Sequence, residues 1–557
     1  MAKNFEYPKF EYVTPPEIRD GKPGHYPVVV VGAGPAGMAA ATDMAQLGHP
    51  VLLLDDDETV SIGSRGLCYA RRAIEVLDRL GCGDPVADKG VSWDVGRTYR
   101  VEEEVFNFNL TPEPGFERPG MVNLQQYYLE QYQITRLQAL PNAEIRFRNE
   151  VVKVTPGDKT STVEVKTPDG NYELTCDWLI VADGARSPVR HMLGLDMEGV
   201  VFKDRFLIAD VTMDEVDFPI ERRFWFDPVF HPNQSVLLHA QADGVWRIDF
   251  QLGWDADPVE EVKPENVRPR IEQMLGPDIG FELEWVSIYT FQCRRMADFR
   301  QGNILFVGDS AHQVSPFGAR GANSGLQDTD NLCWKLDLVM RGQAPDALLD
   351  TYSDERVFAA DENLLNSTRS TDFITPKSAV SKQFRNAVLD MARSQPFARK
   401  LVNSGRLSVP AFLTESRLNT AERDAFGGNM VPGAPMDDAP VNGSEWLLRH
   451  VGNQFKVMVY ADDASQLDAS VVAELQSLAK DEVPTVALVV AAKGQAPAGL
   501  ATIIDSQGLV RSRYDLQAGS TYVLRPDQHV TARMRAFDAA AVHAAVRRAC
   551  GLELAAA

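Results

Sequence analysis

The sequence predicts an α/β fold: a doubly wound parallel sheet, interleaved with an antiparallel-sheet domain and followed by a smaller α/β domain. Three features predict it. Apolar runs in VVVVGAGPAG (28–37), LIVADGARS (179–187) and ILFVGDSAHQVSPFGARGANSG (304–325) each end in a Gly/Asp turn, as a buried parallel strand does when it delivers a loop to a ligand. From about 199 to 292 the texture changes to longer alternating segments such as SVLLHAQADGVWRIDFQL, the pattern of an antiparallel sheet with one packed face. Beyond FGGNMVPGAPM (426–436), a linker by its Gly/Pro clusters, strand-like FKVMVY (455–460) and TVALVVAA (485–492) alternate with helix-like stretches.

The elements follow in order from local chemistry. Residues 1–26 are polar and proline-rich, read as an N-terminal extension, and lack the apolar core of a signal peptide. Val28–Val31 is the first strand, Pro35 to Leu47 an alanine-rich helix, and Val51–Leu54 a second strand, so 28–55 form a right-handed strand–helix–strand unit. WLIVA leads into Asp183-Gly184-Ala185-Arg186-Ser187. The doubly wound pattern returns at Ile304, Asn323 to Met340 reads as a helix, and 345 to 410 is mostly helical by pattern. The expected domains are therefore 27–198 with 293–425, an inserted sheet domain over 199–292, and a tail over 437–557.

At 557 residues the chain exceeds one compact core. With 78 Asp+Glu against 56 Lys+Arg, its formal charge of −22 repels a phosphate backbone or an anionic membrane, so nucleic acid is not an expected partner. The six cysteines (68, 82, 176, 293, 333 and 550) form no CxxC and no ligand-like spacing, so neither a metal site nor a disulfide scaffold is expected, and a reducing, cytoplasmic setting fits best. No stretch supplies the ~20 apolar residues of a membrane helix.

In GAGPAG, Gly32 allows the tight turn, Gly34 lets backbone approach a pyrophosphate, and Gly37 lets helix and strand pack closely. The helix N-terminus supplies free N–H groups and partial positive charge, and Asp55 stands where a carboxylate holds a ribose hydroxyl. Gly318, Gly321 and Asn323 open a helix whose first amides can stabilise negative charge on a flavin, with Pro316 fixing the loop beside the ring. Together the three motifs describe a protein wrapped around FAD.

In this order the motifs resemble those of the single-component flavoprotein aromatic hydroxylases with the para-hydroxybenzoate hydroxylase fold, most closely the phenol and 3-(3-hydroxyphenyl)propionate hydroxylase-like branch. The resemblance covers about 26–400, and GDSAHQVSPFGARGANSGLQDTDNLCWKL is its most specific piece. It implies a Rossmann-like FAD domain in which Gly32, Gly34, Ala36, Gly37 and Asp55 hold the ADP half. It implies further that Arg65 and Gln126 contact FAD, that Gly308 and Asp309 hold the ribityl region, and that Asp183, Gly184 and Arg186 serve both FAD and NAD(P)H. Asp55 departs from the more usual Glu, and Tyr127 from a frequent Pro. The tail, most clearly STYVLRPDQHVTARMR (520–535), resembles the thioredoxin-like domain of that branch but has no CxxC, so assembly or stability is its expected role.

The implied reaction reduces FAD with NADH or NADPH, forms a C4a-hydroperoxide with O2, and transfers oxygen to a phenolic ring. This requires exclusion of water and a hydrogen-bonding group at the substrate hydroxyl. Tyr69, His231, His239 and Tyr289 are candidates for that group, Tyr289 and Tyr69 the foremost as catalytic residues. Phe224, Trp225, Phe226 and Trp246 are candidates to line the pocket, although core packing explains the same alternation. His312 reads as part of its motif rather than as a base, and Arg294-Arg295 as structural. A homodimer is the family-based expectation. The alternatives are a same-fold reductase or halogenase, the latter without its WxWxIP signature here, and a non-catalytic FAD-binding assembly protein.

Overall fold

The computed structural model describes residues 5–213, 218–402 and 407–553. The ends of the expected extension and tail (1–4 and 554–557), 214–217 in the sheet domain and 403–406 at the end of the helical stretch lie outside the described residues.

Five parallel strands form the heart of the first sheet, in the order Ile304–Phe306, Gly170–Val181, Gly24–Val31, Val51–Leu54 and Ala143–Arg146. Val28, Val29, Val30, Leu52, Leu53, Leu179 and Ile180 have no exposed surface, as near-continuous apolar runs in a sheet covered on both faces must. Helix Pro35–Gln46 covers one face against the 20-residue helix Gly321–Met340. The described part of the extension, from residue 5, packs on the first domain. Phe10 stacks on Phe147 at 4.0 Å between centroids, and Glu17 pairs with buried Arg146 at 2.9 Å.

The second sheet is the expected antiparallel one, built on Glu198–Met213, Arg222–Phe226, Ser235–Ala240, Val245–Leu252 and Phe281–Arg295. It recruits three strands from outside the range 199–292, one of them His312–Gln313, which pairs with Arg294 and Arg295 at the far edge. Val95–Arg100 pairs in parallel with Arg222–Phe226, and Glu103–Asn109 completes that edge. Helix Pro264–Leu275 closes one face of this sheet with Val267 and Ile271, neither of which is exposed.

The tail carries a five-stranded sheet. Phe455–Ala461, Thr485–Ala491 and Ala501–Ile504 run parallel, and a hairpin of Thr521–Leu524 and Val530–Met534 runs antiparallel beside Phe455–Ala461. Its loop 525–529 enters the first domain. There the Arg525 guanidinium meets both oxygens of Glu355 at 2.8 and 3.0 Å and is held from behind by Asp527. Lys335, on the long helix, donates to Glu355 Oε2 at 2.8 Å, and Arg72 reaches Asp330 at 2.9 Å and the Asp527 carbonyl at 2.8 Å. All six side chains are buried.

Candidate active site

The three motif strands lie side by side, so their loops converge. Ala182 N donates to the Val31 carbonyl at 2.8 Å, and Val307 N to the Val181 carbonyl at 3.0 Å. Gly32 adopts φ +102°, and a Cβ there would stand 2.5 Å from the Ala182 carbonyl oxygen. A Cβ on Gly37 would come within 1.9 Å of the Gly32 carbonyl oxygen, whereas one on Gly34 would meet nothing within 4 Å. The outer glycines are thus required by packing, and the middle one keeps open a cradle at the start of helix Pro35–Gln46. The Ala36 methyl packs where motifs one and three touch, 3.2 Å from where a Cβ on Gly308 would stand.

Asp55 faces this turn. Its carboxylate accepts from Ala33 N at 2.5 Å and from Asp57 N at 2.9 Å, and burial lifts its pKa to about 7. Gln126 pins the loop that carries Arg65 by accepting from Gly66 N at 2.7 Å, and Arg65 itself is exposed, within electrostatic reach of Asp57, Asp309 and Tyr289. Asp183 accepts from Val189 N at 2.9 Å while its Oδ1 is buried without a hydrogen-bond partner among the described residues. Gly184, at φ +78°, has no atom within 4 Å of its would-be Cβ, and Arg186 is exposed. The cation that ties the second motif to the third is Arg190, which donates to the Ser310 carbonyl at 2.8 Å. Sequence reasoning missed it.

Asp309 is flanked by protein yet keeps exposed surface. Burial raises its pKa, opposed by His312 and Arg65. Gly321 begins the long helix, its would-be Cβ 3.8 Å from Asp309 Oδ1, so the first amides of that helix and the Asp309 carboxylate share one space. Pro316 is exposed at the loop, and Gly318, at φ +113°, makes room for the Arg320 guanidinium. Asn323 is spent on the scaffold, accepting from Ala70 N at 2.8 Å and donating to the Cys68 carbonyl at 2.8 Å. His312 is likewise structural: it bonds Asp328 Oδ2 at 2.6 Å, and Asp328 also pairs with Arg356 at 2.7 Å. Arg295 of the arginine pair is engaged by Asp361 at 2.7 Å.

Register separates the two faces of the antiparallel sheet. Leu238 pairs with Ile248, and Trp246, Ile248, Phe250 and Leu252 pack toward helix Pro264–Leu275. The other parity faces the loop of the third motif, where Phe206 and Phe291 pack on Phe317. It brings together Arg222, Phe224 and Phe226, then His239 opposite Arg247, Leu237 opposite Asp249, and Tyr289 opposite Phe206. Of the aromatic residues proposed as lining, Phe224 and Phe226 reach the cavity beside Phe317, while Trp225 and Trp246 belong to the opposite face and its core.

On this site face Arg247 is matched by Asp210 at 2.8 Å and donates to the Ser64 carbonyl at 2.6 Å, anchoring the Arg65 loop. Tyr289 packs on Phe291, and burial and the nearby Asp309 raise its pKa. Among the described residues its hydroxyl has no hydrogen-bond partner. Tyr69, the other foremost candidate, is fully buried under helix Arg71–Leu80 with an enclosed, unpartnered hydroxyl, and does not open to the cavity. His231 is turned away onto the Gln251 carbonyl at 2.7 Å, whereas His239 sits 3.8 Å from Cys68 Sγ with Nε2 unpartnered and its pKa driven down by burial, Arg222 and Arg247. Asp249 escaped sequence reasoning, although the alternation of Arg247, Asp249 and Gln251 within an apolar strand was a visible signal. Its Oδ1 is buried without a hydrogen-bond partner among the described residues, and burial raises its pKa to about 6.

That raised value has a stability consequence of definite sign. Between the ordinary carboxyl value of 3.8 and about 6, the folded chain holds a proton that the unfolded chain releases, so stability falls as pH rises through this window. Asp249→Asn is expected to raise the urea midpoint at pH 7.5 and to leave it unchanged at pH 3.5; an equal shift at both pH values would contradict the assignment.

Comparison with known proteins fits this architecture. The family described as FAD binding domain matches residues 25–367, and the HcaD C-terminal domain matches 442–549. The 3-(3-hydroxy-phenyl)propionate/3-hydroxycinnamic acid hydroxylase of Escherichia coli is 25% identical over 535 residues, 93% of each chain. That of Mycolicibacterium smegmatis is 27% identical over 388 residues, 68% of this chain and 67% of its own. Among solved structures, the flavin-dependent monooxygenase PieE in complex with FAD and substrate shares the fold with a TM-score of 0.79 at 22% identity, covering 94% of this chain and 99% of that one.

Proposed function

The chain belongs to the FAD binding domain family, as an FAD-dependent aromatic monooxygenase, and on that premise we propose that it hydroxylates a phenolic small molecule with electrons from NADH or NADPH and oxygen from O2. The observation that carries the reading is the union of a dinucleotide cradle with a phenylalanine-lined cavity on the face that the flavin loops address. The open space at Gly34, the unpartnered Asp183 Oδ1 and the free amides at Gly321 all fit FAD. Gly32, Gly34, Ala36 and Gly37 would receive the pyrophosphate, Asp55 a ribose, and Asp309 with Gly308 the ribityl region, while Arg65, Gln126, Gly184, Arg186, Pro316 and Gly318 shape the surrounding loops. When bound, FAD supplies electron storage and O2 activation.

The chain's own residues supply the remaining requirements. Phe224, Phe226 and Phe317 exclude water from the reacting ring. On this reading the Tyr289 hydroxyl and Asp249, both on the site face of the sheet, are assigned to the substrate hydroxyl, and Asp249, with its pKa raised to about 6, is the one suited to take its proton. The tail, with three parallel strands and an antiparallel hairpin, supports a thioredoxin-like assignment. Its one cysteine, Cys550, is buried with its thiol pushed up to about 12, which favours assembly over redox exchange. A cytoplasmic homodimer completes the proposal; no helix among the described residues is long and apolar enough to cross a membrane.

The test is anaerobic bleaching of the bound flavin by NADH and by NADPH, with and without phenols, hydroxybenzoates and hydroxyphenylpropionates. The expected result is acceleration by one aromatic class with one nicotinamide. Fast bleaching that no aromatic alters would remove substrate control, and a flavin that never bleaches would leave the assembly reading in its place.

A further inference from the structure

Three helices open on the flavin site. Pro35–Gln46 starts at the Gly34 cradle, Arg71–Leu80 follows the loop that carries Arg65, and Gly321–Met340 starts beside Asp309. Beyond these amino ends the helices are cross-linked by buried charge. Asp330 of the long helix takes Arg72 on one carboxylate oxygen and Arg79 on the other, each at 2.9 Å, and Arg79 also reaches Asp43 of the first helix at 2.8 Å. None of these four side chains is more than 6% exposed.

The first domain does not complete this junction by itself. Arg72 shares Asp330 with Arg79, and Glu75 stands off at 3.5 Å. The tail supplies further acceptors. Arg72 donates to the Asp527 carbonyl and to Gln528 Oε1, both at 2.8 Å, and Arg79 donates to Asn453 Oδ1 at 2.7 Å. Gln528 is itself fixed, its amide donating to the Leu448 and Val451 carbonyls at 2.9 and 3.1 Å. Without these tail groups, buried N–H donors on the arginines would lose their partners, which is costly. The tail grips the long helix a second time through Trp334, which meets Phe455 edge-on at 5.6 Å. A helix is stiff over such distances, so a shift at Asp330 is carried to the amides at Gly321, about 14 Å away at 1.5 Å per residue.

We propose that the tail is part of the flavin-binding apparatus. Its loop 525–529 and Asn453 hold Arg72 and Arg79, positioning residues that set the spacing of the three helix starts, a role that rests on the FAD reading above and lies within one chain. Coupling of this kind is reciprocal: FAD steadies the tail loop by the same factor by which the loop tightens FAD.

Two measurements on the full chain test this. The amides of Asn453, Arg525 and Gln528 are hydrogen-bonded, to the carbonyls of Pro526, His529 and Arg525 respectively. Their hydrogen exchange in wild type is expected to slow by about fivefold or more when FAD is added to saturation. Fluorescence titration of apoprotein with FAD is expected to give a Kd raised by about 5- to 50-fold in Gln528→Ala and in Asn453→Gly, the glycine tolerating the positive φ of 64° at that site. Val489→Ala loosens a tail cluster of Ala461, Ala464 and Ala491 and is expected to leave Kd unchanged. In a wild type that binds FAD, exchange unaltered at all three amides overturns the proposal, even if every variant fails to fold. An unchanged Kd in both junction variants overturns it too, as does a Kd raised equally by Val489→Ala. A wild type that does not bind FAD overturns the flavin reading itself.

Discussion

Glu355→Ala is expected to destabilise the chain by about 3–5 kcal/mol, because it removes the carboxylate on which two buried cations depend. Glu355 accepts from Lys335 at 2.8 Å, from Arg525 at 2.8 Å and from Asn331 at 2.6 Å, and its pKa is held low by Arg525 and Lys335 although burial alone would raise it. Neither Lys335 nor Arg525 has an exposed side chain, so neither can turn to water when the partner is lost. Asp527 continues to serve Arg525, but Lys335 is left to Asn331, and its pKa, already lowered to about 8, falls further. With the partner gone, folding favours the neutral amine, so the penalty is present at pH 7 and shrinks as pH rises toward the lysine's ordinary 10.5. Urea denaturation at pH 7 and pH 9 measures both effects. A loss below about 1 kcal/mol, the range of an exposed pair, would mean that the cluster is not desolvated as described.

Gly37→Ala is expected to abolish both folding and flavin retention, and Gly34→Ala flavin retention alone. The added methyl at 37 would stand 1.9 Å from the Gly32 carbonyl oxygen, a clash that only separation of helix Pro35–Gln46 from the sheet relieves. At 34 the backbone is extended at φ −75° and the methyl meets nothing within 4 Å, so the apoprotein tolerates it without strain. The same methyl fills the space through which a pyrophosphate approaches the helix amides, and affinity for FAD should fall at least about tenfold, or 1.4 kcal/mol. Fluorescence titration of apoprotein with FAD, paired with thermal unfolding of the apoproteins, separates the two. Equal FAD affinity for wild type and Gly34→Ala would dissociate the cradle from dinucleotide binding.

What was legible in the sequence was what neighbouring residues decide. The strand–turn–helix units at 28–55 and 304–340 announce themselves because apolar runs, glycines and helical spacing act within a few residues of one another. The recruitment of 95–109 into the second sheet did not, since its partner strand lies more than 120 residues onward and a parallel pairing leaves no turn signature between the two. The sidedness of the aromatic residues was half legible. Period 2 separates Phe224 and Phe226 from Trp225, but which parity faces the site is fixed by helix Pro264–Leu275, which covers the other. Tyr69 and Tyr289 have the same chemistry on paper; burial beneath Arg71–Leu80 encloses the first, and register leaves the second opposite Phe206, packed on the Phe291–Phe317 cluster. Arg222 and Asp249 are polar intrusions in apolar strands, a signal overshadowed by the aromatic residues around them.

The parallel pairing of Val95–Arg100 with Arg222–Phe226 also sets the order in which a nascent chain can mature. When residues 95–109 leave the ribosome, their partner edge is still unsynthesised. Val105 and Phe106, both buried in the finished protein, therefore wait unsheltered until the chain has grown past Phe226. Long-range pairings of this kind close slowly and leave strand edges open to other chains meanwhile. Synthesis speed and growth temperature thus become determinants of yield, and a lowered induction temperature should enrich active enzyme over aggregate.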